Sequence, residues 1–87
     1  MGINKNLINE MAEVGFSLTP SGGGCKWFTK PLHGGWFVAV TDAESGIDAP
    51  EEFGQPIIVG IYDHMGEDVD QFALEGCYSL IKLLGGE

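Results

Sequence analysis

The chain has 87 residues, 44% of them hydrophobic, with 13 acidic side chains against four lysines and no arginine, for a formal charge of −9. That length suits one domain, residues 1–87, and the apolar content argues against disorder. Four cations fall short of the basic footprint that phosphate binding needs, so no direct nucleic-acid binding is expected.

From the N-terminus, Ile3, Leu7, Ile8, Met11 and Val14 recur at helical spacing. Asn4 can cap the start, and Gly15 stands where a left-handed C-terminal cap belongs, which predicts a helix over 4–14. Phe16 and Leu18 then alternate with Ser17 and Thr19 as in a strand, and 20–24 reads as a turn. Residues 25–30 alternate again up to Pro31, and His33-Gly34-Gly35 makes a second turn. Trp36 to Thr41, aromatic and β-branched, is the clearest strand.

Residues 42–55 hold five carboxylates with Gly, Pro and Ser, the composition of a loop, and 56–62 form another strand. Beyond Gly66 the period changes. Val69, Phe72, Ala73, Gly76, Cys77, Leu80 and Leu84 fall on one helical stripe that Gly85-Gly86 ends. Gly76, set mid-helix, marks a close helix–sheet contact. The stretch 67–72 also reads as a hairpin partner of 56–62.

The order α-β-β-β-β-α with tight connections predicts an α+β fold, a four-stranded antiparallel meander with two helices packed on one face. Alternation turns Phe16, Leu18, Trp27, Trp36, Val38, Val40, Ile57, Val59 and Ile61 toward the helices, with Trp36 and Val38 in the core. The opposite face then has an apolar centre of Phe28, Phe37, Ile58 and Tyr62, flanked by Lys26 and Lys30. A sheet covered by helices on one side normally shows water a more polar surface, so these six residues are candidates for an interface.

Several constellations invite chemistry. Gly22-Gly23-Gly24-Cys25-Lys26 looks like a phosphate loop, but a strand follows where the anion would need a helix N-terminus, so a hairpin turn is the simpler reading. Cys25, His33, Asp63 and His64 could edge a pocket between helix 67–84 and the sheet, with Cys25 as a thiol nucleophile. Its only cationic neighbour in sequence is Lys26, so a structural cysteine is again simpler. In a reducing cytosol Cys25 and Cys77 are expected as free thiols.

No metal or cofactor is expected. Cys-x-x-Cys and His-x-x-x-His spacings are missing. The run from Asp42 resembles a calcium loop only until Gly46 takes the place of the third oxygen ligand and Phe53 that of the closing glutamate. The charge, however, is unevenly spread: residues 1–30 are net +1, while 31–81 hold ten carboxylates and no cation. Asp42, Glu44, Asp48, Glu51, Glu52, Glu67, Asp68 and Asp70 are therefore candidates for an acidic surface that meets a basic partner.

No stretch approaches the about 18–20 apolar residues of a membrane helix. The start lacks the pattern of a signal peptide, and Asn6 stands where myristoylation after Met1-Gly2 needs Ser or Thr. A cytoplasmic protein without membrane attachment is expected.

Gly15-Phe16, Gly22-Gly23-Gly24-Cys25, Gly35 before an apolar strand ending in Thr41-Asp42, and Val59-Gly60-Ile61-Tyr62-Asp63 form a pattern over about residues 15–63. It resembles that of small uncharacterised α+β proteins of bacterial mobile gene pools, in integron cassettes and phages. The resemblance transfers no functional residue. It implies an accessory gene whose product binds another macromolecule, and phage inhibitors of host defence nucleases share this size and acidity.

Three functions follow as expectations. The leading one is a non-enzymatic binding protein, a homodimer through the open sheet face or a binder of another protein. The second is an acidic inhibitor that imitates nucleic acid for a basic groove. The third is a small-molecule binder or small hydrolase.

Overall fold

The structure is a computed structural model that describes residues 2–85, with Gly22 described by its backbone alone. Met1, Gly86 and Glu87, and with them part of the glycine pair expected to end the last helix, lie outside the described residues. The elements are α1 (Lys5–Glu13), β1 (Ser17–Gly22), β2 (Cys25–Pro31), a 3-10 turn (His33–Gly35), β3 (Phe37–Asp42), β4 (Ile57–Tyr62), β5 (Asp68–Leu74) and α2 (Cys77–Gly85). The fold is α+β as expected, but the sheet has five strands, in the order β1-β2-β3-β4-β5 with every pair antiparallel.

Helix α1 starts where Asn4 accepts a 2.8 Å hydrogen bond from the Asn6 amide. It buries Leu7 and Met11, four residues apart on one face. Gly15, at φ +99°, then reverses the chain so that the Phe16 amide donates back to the Met11 carbonyl at 2.8 Å. Strand β1 runs through Pro20, part of the expected turn, with a bulge between Pro20 and Gly22. As an edge strand it tolerates the proline. Gly23 and Gly24, both at positive φ, make the tight β1–β2 turn.

The fifth strand replaces the start of the expected last helix. The Asp63 carboxylate accepts from the amides of Met65 (2.9 Å) and Glu67 (3.0 Å), and the Asp63 amide donates to the Glu67 carbonyl. That turn sends 68–74 back along β4, the hairpin alternative for this stretch. The helical spacing of Val69 and Phe72 is thus coincidental, and both remain exposed. Opposite Ile61 and Tyr62 the register shifts, so Val69 bulges out. On this outermost strand the Gln71 amide donates to the Asp70 carboxylate at 2.9 Å.

One row of partners, Leu18–Phe28–Val40–Val59–Phe72, crosses all five strands on the helix side. The core comprises Phe28, Val40, Ile57 and Val59 from the sheet, Phe16, Leu7 and Met11 from the α1 side, Cys77 and Leu80 of α2, and Ala49. Strand β2 therefore faces opposite to the expected way. Phe28 is fully buried under the helices, and Trp27 takes its place on the open face. Lys26 and Lys30 share the parity of Phe28 and so also lie on the helix side. They fit there because they stand where the helix cover ends. Lys26 is exposed, and the aliphatic chain of Lys30 lies along Gly15, whose Cβ would sit 3.0 Å from its Cε.

Trp36 is likewise not core. It ends the loop closed by the Leu32 amide on its carbonyl (2.7 Å) and is 38% exposed, while Val38 is partly buried at the rim. Gly76 precedes α2 instead of lying within it, and its close contact is with Phe53 and Gly54 of the 42–55 loop, not with the sheet. That loop is an ordered plug. Ala49 donates to the Lys26 carbonyl, Asn4 to that of Glu51, and the Gln55 side chain accepts from the amides of Glu51 and Glu52.

Cys77 supplies a pH prediction. Burial pushes its thiol from 9.0 up to about 12. The unfolded thiol ionises first, so this contribution to stability is complete below pH 9.0 and is lost as pH rises towards about 12. The expected slope is about 1.4 kcal/mol per pH unit in that window. Urea denaturation of Cys77→Ala is expected to lack that part of the alkaline slope, and an identical slope would contradict it.

Candidate functional site

The face away from the helices holds the candidate site. The molecule measures 33 × 31 × 20 Å. Its short axis matches one helix layer on one sheet layer, each about 10 Å deep, so among the described residues no third layer crosses the far face. Alternation puts Thr19, Trp27, Thr29, Phe37, Ala39, Thr41, Ile58, Gly60, Tyr62, Gln71 and Ala73 there. Among the described strand positions of this face only Asp68, at the corner, is charged, and its carboxylate accepts from the Gln71 amide side chain at 2.9 Å.

Three aromatic rings form a ridge. Phe37 and Tyr62, opposite each other in register, stack at 5.0 Å and 8°. Trp27 leans on both, at 5.8 Å from Tyr62 and 6.2 Å from Phe37. Each contact is worth about 0.5–1.5 kcal/mol beyond the area it buries. The rings lie low because their bed is small. Ala39 (2% exposed) and Gly60 face each other beneath them, and a Cβ on Gly60 would sit 2.9 Å from Tyr62 Cε1. The hydroxyls of Thr19 and Thr29 meet at 3.1 Å on the β1 side.

Beside the ridge lies a hollow of about 140 Å³ lined by Ala39, Thr41, Ile58, Gly60, Tyr62 and Gln71, with Gly46 at its wall. Of the expected interface residues, Phe37, Ile58 and Tyr62 are on this face, and Phe28, Lys26 and Lys30 are not. Sequence reasoning missed Trp27. The available signal was its paired aromatic neighbour: an indole with an N–H suits a half-wet surface better than Phe28 does.

The acidic candidates fall into separate groups. Asp42, Asp48 and Glu51 line a wide polar depression together with Lys26, Ser45 and Gln55, and Glu44 and Glu52 are exposed on the same loop. Glu67 and Asp68 lie at the other end of the sheet, beside Tyr62, with Asp70 opposite Ile61. No group of three potential metal ligands occurs among the described residues.

The pocket candidates are also divided. Cys25 opens β2, while His33 follows its far end, about 20 Å along the strand. His64 packs against Gly35 at that same far end, and Asp63 is engaged in its own turn. Desolvation, with the hydrogen bond and charge of Asp48, holds the Cys25 thiol above its ordinary range and so in its less nucleophilic form. The depression between α2 and the sheet, about 150 Å³, is apolar apart from Lys30, with Leu32, Val38, Ile61, Phe72 and Leu84 in its wall and none of the four candidates. Among the described residues no helix is long and apolar enough to cross a membrane.

Compared with protein-family models, curated proteins and solved structures, the chain matches none.

Proposed function

We propose that this chain is a non-enzymatic accessory binding protein, in the mobile-element setting that its resemblance implies, which acts through protein–protein association and pairs with a second copy of itself. The observation that carries this reading is an aromatic, nearly uncharged sheet face on a chain of charge −9. Two such chains repel through most of their surfaces, and this face brings them together at the least electrostatic cost. A basic partner would instead be drawn to the carboxylates elsewhere.

The size fits. Five strands about 4.8 Å apart and about 20 Å long present roughly 480 Å² in projection, and side-chain relief raises that toward the about 800 Å² per partner of a stable interface. Nucleic-acid imitation would need one continuous acidic stripe, and the carboxylates stand at two ends of the sheet instead. A hydrolase would need Cys25 near a histidine, and a strand length separates them.

Sedimentation velocity from low to high micromolar concentration tests the proposal. Wild type is expected to shift from monomer to dimer, and Trp27→Lys to stay monomeric with its far-UV spectrum intact. A wild-type monomer throughout the series would overturn the reading.

A further inference from the structure

Thr41 is 6% exposed and is, among the described residues, the one buried polar side chain. Its hydroxyl enters no side-chain hydrogen bond there. Since no sealed-off polar side-chain atom lacks a partner, that hydroxyl opens into the hollow beside the aromatic ridge. A desolvated hydroxyl without a partner costs free energy, so its place in the wall of a recess points to a guest. We infer that the hollow binds a neutral, planar single-ring heterocycle with an amide-like edge, the chemistry of a free pyrimidine base. The site belongs to a single chain and does not rest on the self-association proposed above.

The strand pattern makes the recess. On β4 the open-face positions run Ile58, Gly60, Tyr62, so two bulky residues stand about 13 Å apart along the strand with no side chain between them. Ala39 and Gln71 are the partners of Gly60 on either side. The hollow's volume of about 140 Å³ is close to the about 150 Å³ of a cavity that admits one benzene ring.

Three features select the guest. Phe37 stacks on one face of the Tyr62 ring but is not in the hollow's wall. The hollow therefore meets the part of that ring which Phe37 leaves free, a surface on which a flat ring can stack. The Gln71 side chain donates one N–H to Asp68 at 2.9 Å, which fixes the carboxamide. Its other N–H and its oxygen are left for an edge that both accepts and donates, and the Thr41 hydroxyl can do either. Charge is the third feature. No charged residue lines the hollow, and an anion would meet a chain of charge −9 with Asp68 beside Gln71.

Saturation-transfer NMR with uracil tests the inference, at a dilution where sedimentation shows monomer, because a second copy on the open face would cover the hollow. Uracil is expected to bind with a dissociation constant of about 1 mM or below, as suits a ligand of so few atoms. Thr41→Val and Gln71→Leu are each expected to weaken binding about three- to tenfold, the worth of one neutral hydrogen bond. Thr41→Val is also expected to keep or raise the thermal midpoint, since the hydroxyl it removes has no partner in the chain. Benzene, which lacks the polar edge, and uridine monophosphate, which carries charge, are expected to bind more weakly than uracil. No saturation transfer at the solubility limit of uracil, equal binding by either control, or unchanged affinity in both variants overturns the inference. A clearly lowered midpoint for Thr41→Val overturns it as well, because the hydroxyl would then be bonded within the chain. Sedimentation of wild type reads the self-association separately: a monomer that binds uracil leaves this site standing, and a dimer whose diluted monomer does not bind loses it.

Discussion

Phe28→Ala is expected to destabilise the protein by about 3–5 kcal/mol, the usual cost of removing a fully buried phenylalanine. The ring is 0% exposed, stands between Leu18 and Val40 in the row that crosses the sheet, and lies in the cluster that both helices cover. For a chain this short, total stability is about 4–13 kcal/mol, so the variant stands near the edge of folding. Trp27→Ala, which strips a partly buried ring from the other face, is expected to cost clearly less. Urea midpoints of the two variants decide how β2 faces. A larger loss for Trp27→Ala would mean that β2 presents its other side to the helices.

Gly76→Ala is the second large effect, at about 3 kcal/mol or more. A methyl group there would collide with the Phe53 carbonyl and come within 3.0 Å of Gly54 Cα and 2.9 Å of Tyr78 Cε1. The tyrosine ring can move, but the loop backbone cannot easily do so. Its neighbours are held by the Glu51 carbonyl accepting from Asn4 and by the Gln55 side chain bracketing the amides of Glu51 and Glu52. Overpacking against fixed backbone is among the recognised causes of losses this large. A thermal midpoint lowered by about 10–20 °C is expected, and an unchanged one would mean that α2 and the loop do not touch at this point.

Strands β1 to β4 were legible because alternation and glycine turns are local, and so was α1, capped by Asn4 and closed by Gly15. The direction in which β2 faces was not legible. Trp27 and Phe28 are adjacent aromatics, and the lysines on either side suggest solvent, yet Lys26 stands beside the 42–55 loop and Lys30 lies along Gly15 at the depression beside α2. The fifth strand was legible only as the hairpin alternative for 67–72, for a related reason. Its outer positions need no alternation, and Val69 and Phe72 happen to repeat with helical spacing. The ridge depends on Gly60, whose lack of a side chain lets Tyr62 lie flat. No local pattern announces that.

The two outer strands of the sheet have a joint consequence. On β1, Pro20 and its bulge interrupt the backbone that another strand would pair with. On β5 the chain bulges at Val69, and the Asp70 carboxylate already occupies the Gln71 amide. A second β5 laid alongside would also set aspartates against aspartates. Sideways growth into a ribbon or fibre is closed at both margins. The association proposed above, through the open face, therefore does not extend sideways by strand addition.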